Sequence, residues 1–349
     1  MAREYREEID RKNMNTCYEL LEKMPEFMKS YVFSLERSVA TNTLRAYMQR
    51  IMVFFTYLVK NNENFTDLKN ITINQLDQLK KSDIELFCSE VYHGKMNDLS
   101  KKVKTEGTTV DNYLSALNSL WNFFLDEELV EKNPCARIKR SKKTKNKEVI
   151  ALDKNEQELL INCSTSGCGL SKQQLAFRTI TAYRDSCIIV LFLRTGMRVS
   201  ELAGIDIDDI SLEEKKIKIL RKGDKMSNIY LDEMTFTYLS DYLEVRNDFK
   251  PCDDERALFL VSIGKYKGQR LTPRSIENIV KKYVKAGVPG ADSIVSCHKL
   301  RSSFASLLIE ETDNLELARQ ALDHEDPRTV MKYYKQNDKR KKDFFINRN

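Results

Sequence analysis

Four residues stand in pairs whose spacing could serve a reaction at an anion. Arg198 and Glu201 are three apart, as are His298 and Arg301 in Ser296-Cys297-His298-Lys299-Leu300-Arg301. On a helix each pair shares one face, and Leu300 turns toward the core. A guanidinium keeps its charge and offers two parallel hydrogen bonds to a phosphate, and a carboxylate on the same face can orient it. An imidazole titrates near neutrality and can carry a proton. Of only three histidines, His298 and His324 both fall near the C-terminal end. Taken singly, the first pair is an ordinary helix salt bridge and the second an ordinary surface pair.

Their order along the chain says more. Thr195-Gly196-Met197-Arg198-Val199-Ser200-Glu201-Leu202 is followed by Lys222, by His298-Lys299-Leu300-Arg301, by Leu322-Asp323-His324, and by Tyr333 nine residues after that histidine. This series resembles the tyrosine recombinase (phage integrase) family. The helical core-binding module of that family is similar to Thr43-Leu44-Arg45-Ala46-Tyr47 and to Tyr113-Leu114-Ser115-Ala116-Leu117 leading to Asn133-Pro134, so the resemblance spans about residues 25 to 335. The arginine box and the His-x-x-Arg box are its specific parts.

The resemblance implies a site-specific DNA recombinase of the Xer or integrase kind. Direct attack on a phosphodiester builds negative charge on the non-bridging oxygens, which fixed cationic donors must meet. Arg198 and Arg301 fill that role, Glu201 orients, His324 donates a further hydrogen bond, and His298 takes the nucleophile's proton. A phenol, with a pKa near 10, needs neighbouring cations and a proton acceptor before it attacks. Tyr333 would then form a 3′-phosphotyrosyl bond, with Lys222 as general acid for the leaving 5′-oxygen. Lys225 stands across Gly223-Asp224 from Lys222, which is preferred because it precedes the glycine. The covalent bond stores the phosphodiester energy, so no cofactor and no metal are expected. Besides the pair Lys222 and Lys225, two further departures stand out. Asp323 occupies a position where the family usually has glycine, which sets a carboxylate beside an anion site unless it caps a helix and faces away, and Ser302 follows Arg301 where many relatives have histidine.

These residues need elements to hold them. The chain has 349 residues, long enough for two domains. Eleven glycines and six prolines disfavour an all-β fold. The expected class is mainly α with a small β-hairpin or sheet: a helical core-binding domain and a catalytic domain. Residues 1–24 read as an extension before the first core-binding helix, and 25–136 as a bundle of four or five helices. Its apolar stripes are Phe27, Met28, Tyr31 and Leu35; Leu44, Met48, Ile51, Phe55 and Leu58; a helix near Ser82 to Tyr92; and Leu114, Leu117, Trp121 and Phe124. Residues 149–349 form the second domain. It has a helix around Thr181 to Arg194, an amphipathic turn at Val199, Leu202 and Ala203, a hairpin whose strands alternate at 215–220 and 227–231, and helices from there to the end.

Lysines and arginines number 58 against 52 acids, a net charge of only +6, too little alone to prove a polyanionic partner. The charge is concentrated, however: seven of the eleven residues from Arg137 to Lys147 are basic. Within the 137–148 linker, Arg137, Lys139, Arg140, Lys142 and Lys143 would contact double-stranded DNA if the segment lies along the backbone. The other reading is a solvated tether. Eight scattered cysteines, without paired spacing, read as reduced thiols rather than a zinc site. No apolar run is long enough to cross a bilayer and the N-terminus lacks signal-peptide character, so a soluble, cytoplasmic, nucleoid-associated bacterial protein is expected. Phe344, Phe345 and Ile346 form an apolar cluster near the end that calls for a docking groove. One reading puts that groove on the same subunit; the favoured one, since relatives exchange such tails around a DNA-bound tetramer, puts it on a neighbouring subunit, with accessory DNA-bending proteins as further partners. Two other functions fit the same residues: a DNA-binding or architectural relative that has lost cleavage, favoured by Asp323, and a type IB topoisomerase.

Overall fold

The computed structural model describes residues 2–94, 107–141, 151–221, 223–288, 290, 295–323, 326 and 330–331. The chain divides into two compact units, one of Glu7–Lys145 and one of Met1–Arg6 with Asn146–Asn349.

The unit of residues 7–145 is helical. Helix α1 (Ala2–Leu21) is followed by α2 (Met28–Leu35), α3 (Thr41–Asn61), α4 (Ile73–Asp77), α5 (Lys81–Tyr92) and α6 (Gly107–Asp126). The apolar stripes of α3 and α6 face each other, and Phe54 meets Phe87 and Trp121 edge-on at centroid distances of 5.0 and 5.9 Å. Residues 1–24, expected as an extension, form a helix over most of their length, and Cys17, Leu21 and Met24 enter the same core. The run of alternating charges over its first half hides the apolar positions that follow.

In the other unit the helices are α7 (Lys154–Ser166), α8 (Lys172–Thr195) and α9 (Val199–Ala203). After three antiparallel strands come α10 (Glu233–Val245), α11 (Pro273–Gly287), α12 (Cys297–Thr312) and α13 (Leu315–Leu322). Helix α8 is its centre: Cys187 to Leu193 are buried all round, with α7, α10, α11 and α12 packed against the helix. It begins nine residues before the expected Thr181. A reciprocal cap starts it there, Ser171 Oγ accepting from the Gln174 N–H and Gln174 Oε1 from the Ser171 N–H. Strands β1 (Ile210–Ser211), β2 (Lys216–Leu220) and β3 (Met226–Tyr230) pair in sequence order, with Ile217 opposite Ile229. Alternation makes the hairpin legible, whereas two-residue β1 carries no periodic signal.

Helices do not run on unbroken after the hairpin. Residues 250–272 are largely irregular, closed by the bridges Asp206 to Ala257 and Leu260 to Arg270. The start of the basic segment is anchored: Arg140 Nη1 donates to Ser115 Oγ at 3.0 Å, the Ser141 N–H donates to Asp111 Oδ1 at 3.0 Å, and Ile138 packs on the helical core. A free tether is therefore the wrong description for 138–141. Lys142 and Lys143 lie outside the described residues. All eight cysteines are free thiols.

Candidate active site

The site is assembled at the ends of helices. Gly196 closes α8 with φ +61°, the left-handed conformation that glycine adopts without steric cost, and a Cβ there would stand 2.3 Å from the Phe304 ring. This turn directs the chain back so that Arg198 caps the N-terminal end of α9.

Glu201 then does three things. Its Oε2 accepts from the Arg198 backbone N–H at 2.7 Å, satisfying one of the unpaired donors at a helix start. Its Oε1 accepts from Arg198 Nη1 at 2.6 Å, and its Oε2 lies 3.9 Å from Arg301 Nη1. The two arginines, 103 positions apart, thus share one buried carboxylate. Two guanidiniums against one carboxylate leave a net positive charge, and a third of the Arg198 side chain remains exposed.

Arg301, on α12, is almost wholly buried. It donates Nη1 to Gly196 O at 2.7 Å and Nη2 to Leu322 O, so it ties the α8 turn to the C-terminal end of α13. One turn earlier on α12, His298 is exposed. Its pKa is pushed below the ordinary 6.5 by partial desolvation and by the cations Arg301, Lys299 and Arg198. The neutral form of its imidazole is therefore favoured near pH 7. Leu300 faces the core, and Ser302 Oγ turns inward onto His298 O at 3.1 Å. Asp323 is the C-cap of α13, with φ +49°. That is the left-handed conformation in which glycine is common and aspartate tolerated.

The structure thus brings Arg198, Glu201, His298 and Arg301 together. Lys222, His324 and Tyr333 lie outside the described residues, as does the apolar tail. The chain neighbours of Lys222 and His324 are joined: Arg221 Nη2 donates to Ala321 O at 3.0 Å, which ties the residue before Lys222 to the helix that ends just before Asp323 and His324. Sequence reasoning missed Arg221. The signal was available, for it continues the inward parity of Ile217 and Ile219, where an apolar residue belongs. Lys225, the alternative to Lys222, is exposed, and its carbonyl accepts the Arg221 N–H at 2.8 Å. Among the described residues no cluster of metal-ligating side chains occurs, and no helix is long and apolar enough to cross a membrane.

Comparison with known proteins gives the same direction from independent evidence. Residues 151–340 match the model of the phage integrase family. The chain is 30% identical to tyrosine recombinase XerS of Streptococcus agalactiae, over 88% of this chain and 90% of the relative, and 28% identical to XerS of Lactococcus lactis, over 87% and 91%. The fold is similar to XerH site-specific recombinase bound to its difH substrate in a pre-cleavage complex, with a TM-score of 0.62 and 22% identity over 92% of this chain and 86% of the other. It is also similar to a lambda integrase dimer bound to a COC′ core site, with a TM-score of 0.59 and 14% identity over 87% and 75%. With its paired arginines held by one glutamate on a mainly α fold with a small sheet, the chain belongs to the phage integrase family and is a site-specific tyrosine recombinase acting on DNA.

Proposed function

We propose that this recombinase cuts and rejoins DNA strands through a 3′-phosphotyrosyl intermediate formed by Tyr333. The phenol oxygen attacks the scissile phosphorus as its proton passes to His298. The bond from phosphorus to the 5′-oxygen breaks, and Lys222 protonates that oxygen. Arg198, Arg301 and His324 meet the charge that builds on the non-bridging oxygens, in the manner of fixed donors that need no reorganisation during the reaction. Attack by a 5′-hydroxyl of another strand reverses these steps and restores a phosphodiester. The observation that carries this reading is the pair Arg198 and Arg301 on the single carboxylate of Glu201, because one buried group fixes both guanidiniums at one place.

The helical unit that begins at Glu7 acts as the core-binding domain through residue 136, 137–148 as a basic linker on DNA, and 149–349 as the catalytic domain. The active assembly is a tetramer on paired double-stranded target sites. The tail carrying Phe344, Phe345 and Ile346 docks on a neighbour, so that cleavage waits for assembly, and accessory DNA-bending proteins assist. The test is to trap the protein covalently on DNA, sequence the attached fragments, and supply two copies of the recovered site. Joint molecules between two sites support recombination. Relaxation of one supercoiled circle without joint molecules identifies a topoisomerase instead, and binding with no covalent product identifies an architectural protein.

A further inference from the structure

Arg221 occupies a place where a charge needs a reason. It extends β2 on the face of Ile217 and Ile219 and is only 4% exposed. Nη2 donates to Ala321 O, while Nε and Nη1 are buried without a hydrogen-bond partner among the described residues. Desolvation pulls its pKa below the usual arginine range, the carboxylates of Glu201 and Asp323 oppose that fall, and Arg198 adds to it. The guanidinium therefore belongs to the charge cluster of the site, and it stays protonated at any pH the protein meets.

Its contacts join two segments. The Arg221 N–H donates to Lys225 O at 2.8 Å and closes the turn that contains Lys222. At the other end, Ala321 O and Leu322 O are neighbouring carbonyls in the last turn of α13, where intrahelical donors run out. Arg221 takes the first and Arg301 the second. One guanidinium thus ties the lysine turn, and the other the arginine pair, to the helix end that leads into Asp323 and His324. Asp323 supplies a negative charge that acts on Arg221.

We propose that Arg221 is a positioning residue for strand cleavage: it locks the end of β2 to the C-terminal end of α13, so that Lys222 is presented to the leaving 5′-oxygen. This rests on the assignment of Lys222 as the general acid. A substrate with sulfur in place of the bridging 5′-oxygen separates the possibilities, since a thiolate, with a pKa of about 8.5, leaves without being protonated. Covalent adduct formation is measured under single turnover on oxygen and sulfur substrates for the full-length wild type, Arg221→Ala, Arg221→Lys and Lys222→Ala.

On the oxygen substrate Arg221→Ala should be slower by about 10- to 100-fold, and on the sulfur substrate it should come within about threefold of wild type, in parallel with Lys222→Ala. Arg221→Lys, which keeps a cationic donor, should fall between wild type and alanine, and it carries the test should the alanine variant melt early. Equal loss on both substrates would mean that Arg221 acts on the phosphate or through His324, and an unchanged rate on oxygen would mean that it positions nothing; either overturns the proposal. Rescue of Lys222→Ala but not of the Arg221 variants overturns the Arg221 role alone. Failure of sulfur to rescue Lys222→Ala overturns the general-acid assignment, and this proposal with it.

Discussion

At the scale of residues, the site separates charge that binds from charge that reacts. On the proposed mechanism Arg198 and Arg301 each supply one phosphate contact among many, so alanine at either should leave DNA affinity nearly unchanged while slowing cleavage by about 10²- to 10³-fold. The two variants should differ in stability. Arg198 is partly exposed and bonded mainly to Glu201, whereas Arg301 is buried and also holds Gly196 O and Leu322 O. Arg301→Ala should therefore lower the melting temperature more than Arg198→Ala, as thermal denaturation and adduct formation measured together will show. His298 gives a pH signature. Its pKa is lowered, so the neutral form that accepts a proton is already present at neutrality. The cleavage rate should fall only as the solution is acidified through an acid limb below pH 6.5, and His298→Gln should flatten that limb. A limb above that pH would contradict the assignment.

At the scale of elements, the reactive groups depend on helix ends, and the α8 turn is the most exacting of these. Alanine at Gly196 must adopt a positive φ and place its Cβ against the Phe304 ring. We expect Gly196→Ala to cost about 2 kcal/mol of stability and to reduce cleavage as well, since Arg301 hydrogen-bonds the Gly196 carbonyl. Denaturant melts and adduct assays check both. How far such features could be read in advance follows from their physics. The stripes of α3 and α6 and the alternation of β2 and β3 were legible because burial on one face imposes a period. The first half of α8 was not, because Leu175, Phe177 and Ile180 are exposed and leave no apolar stripe. Nor was α1, whose buried positions begin only past its charged half. The pairs Arg198 with Glu201 and His298 with Arg301 were visible as three-residue spacings within single segments. That Glu201 serves both arginines, and that Arg221 reaches Ala321, were not visible, since these contacts join residues 100 positions apart through tertiary packing.

At the scale of the molecule, sequence-independent affinity should reside in distributed cations rather than in the reactive site. Replacing Arg137, Lys139, Arg140, Lys142 and Lys143 with glutamine should weaken DNA binding and flatten the salt dependence, by about 0.9 in the logarithmic slope for each phosphate that is no longer neutralised. Cleavage at saturating protein should persist. Arg140 is partly committed to Ser115, so its share of that slope should be the smallest of the five. An unchanged slope in filter-binding or anisotropy titrations would make the segment a spacer.

All of these effects converge on one chemical event, direct attack by a tyrosine on the scissile phosphate. Tyr333 and Tyr334 are adjacent, and neighbouring positions on a helix would point about 100° apart, so only one can serve. The decisive measurement incubates the wild type, Tyr333→Phe and Tyr334→Phe with a nicked suicide substrate and resolves the covalent protein–DNA adduct on a denaturing gel. Adduct lost in Tyr333→Phe and kept in Tyr334→Phe is the expected result; adduct kept in Tyr333→Phe and lost in Tyr334→Phe, or kept in both, would contradict it.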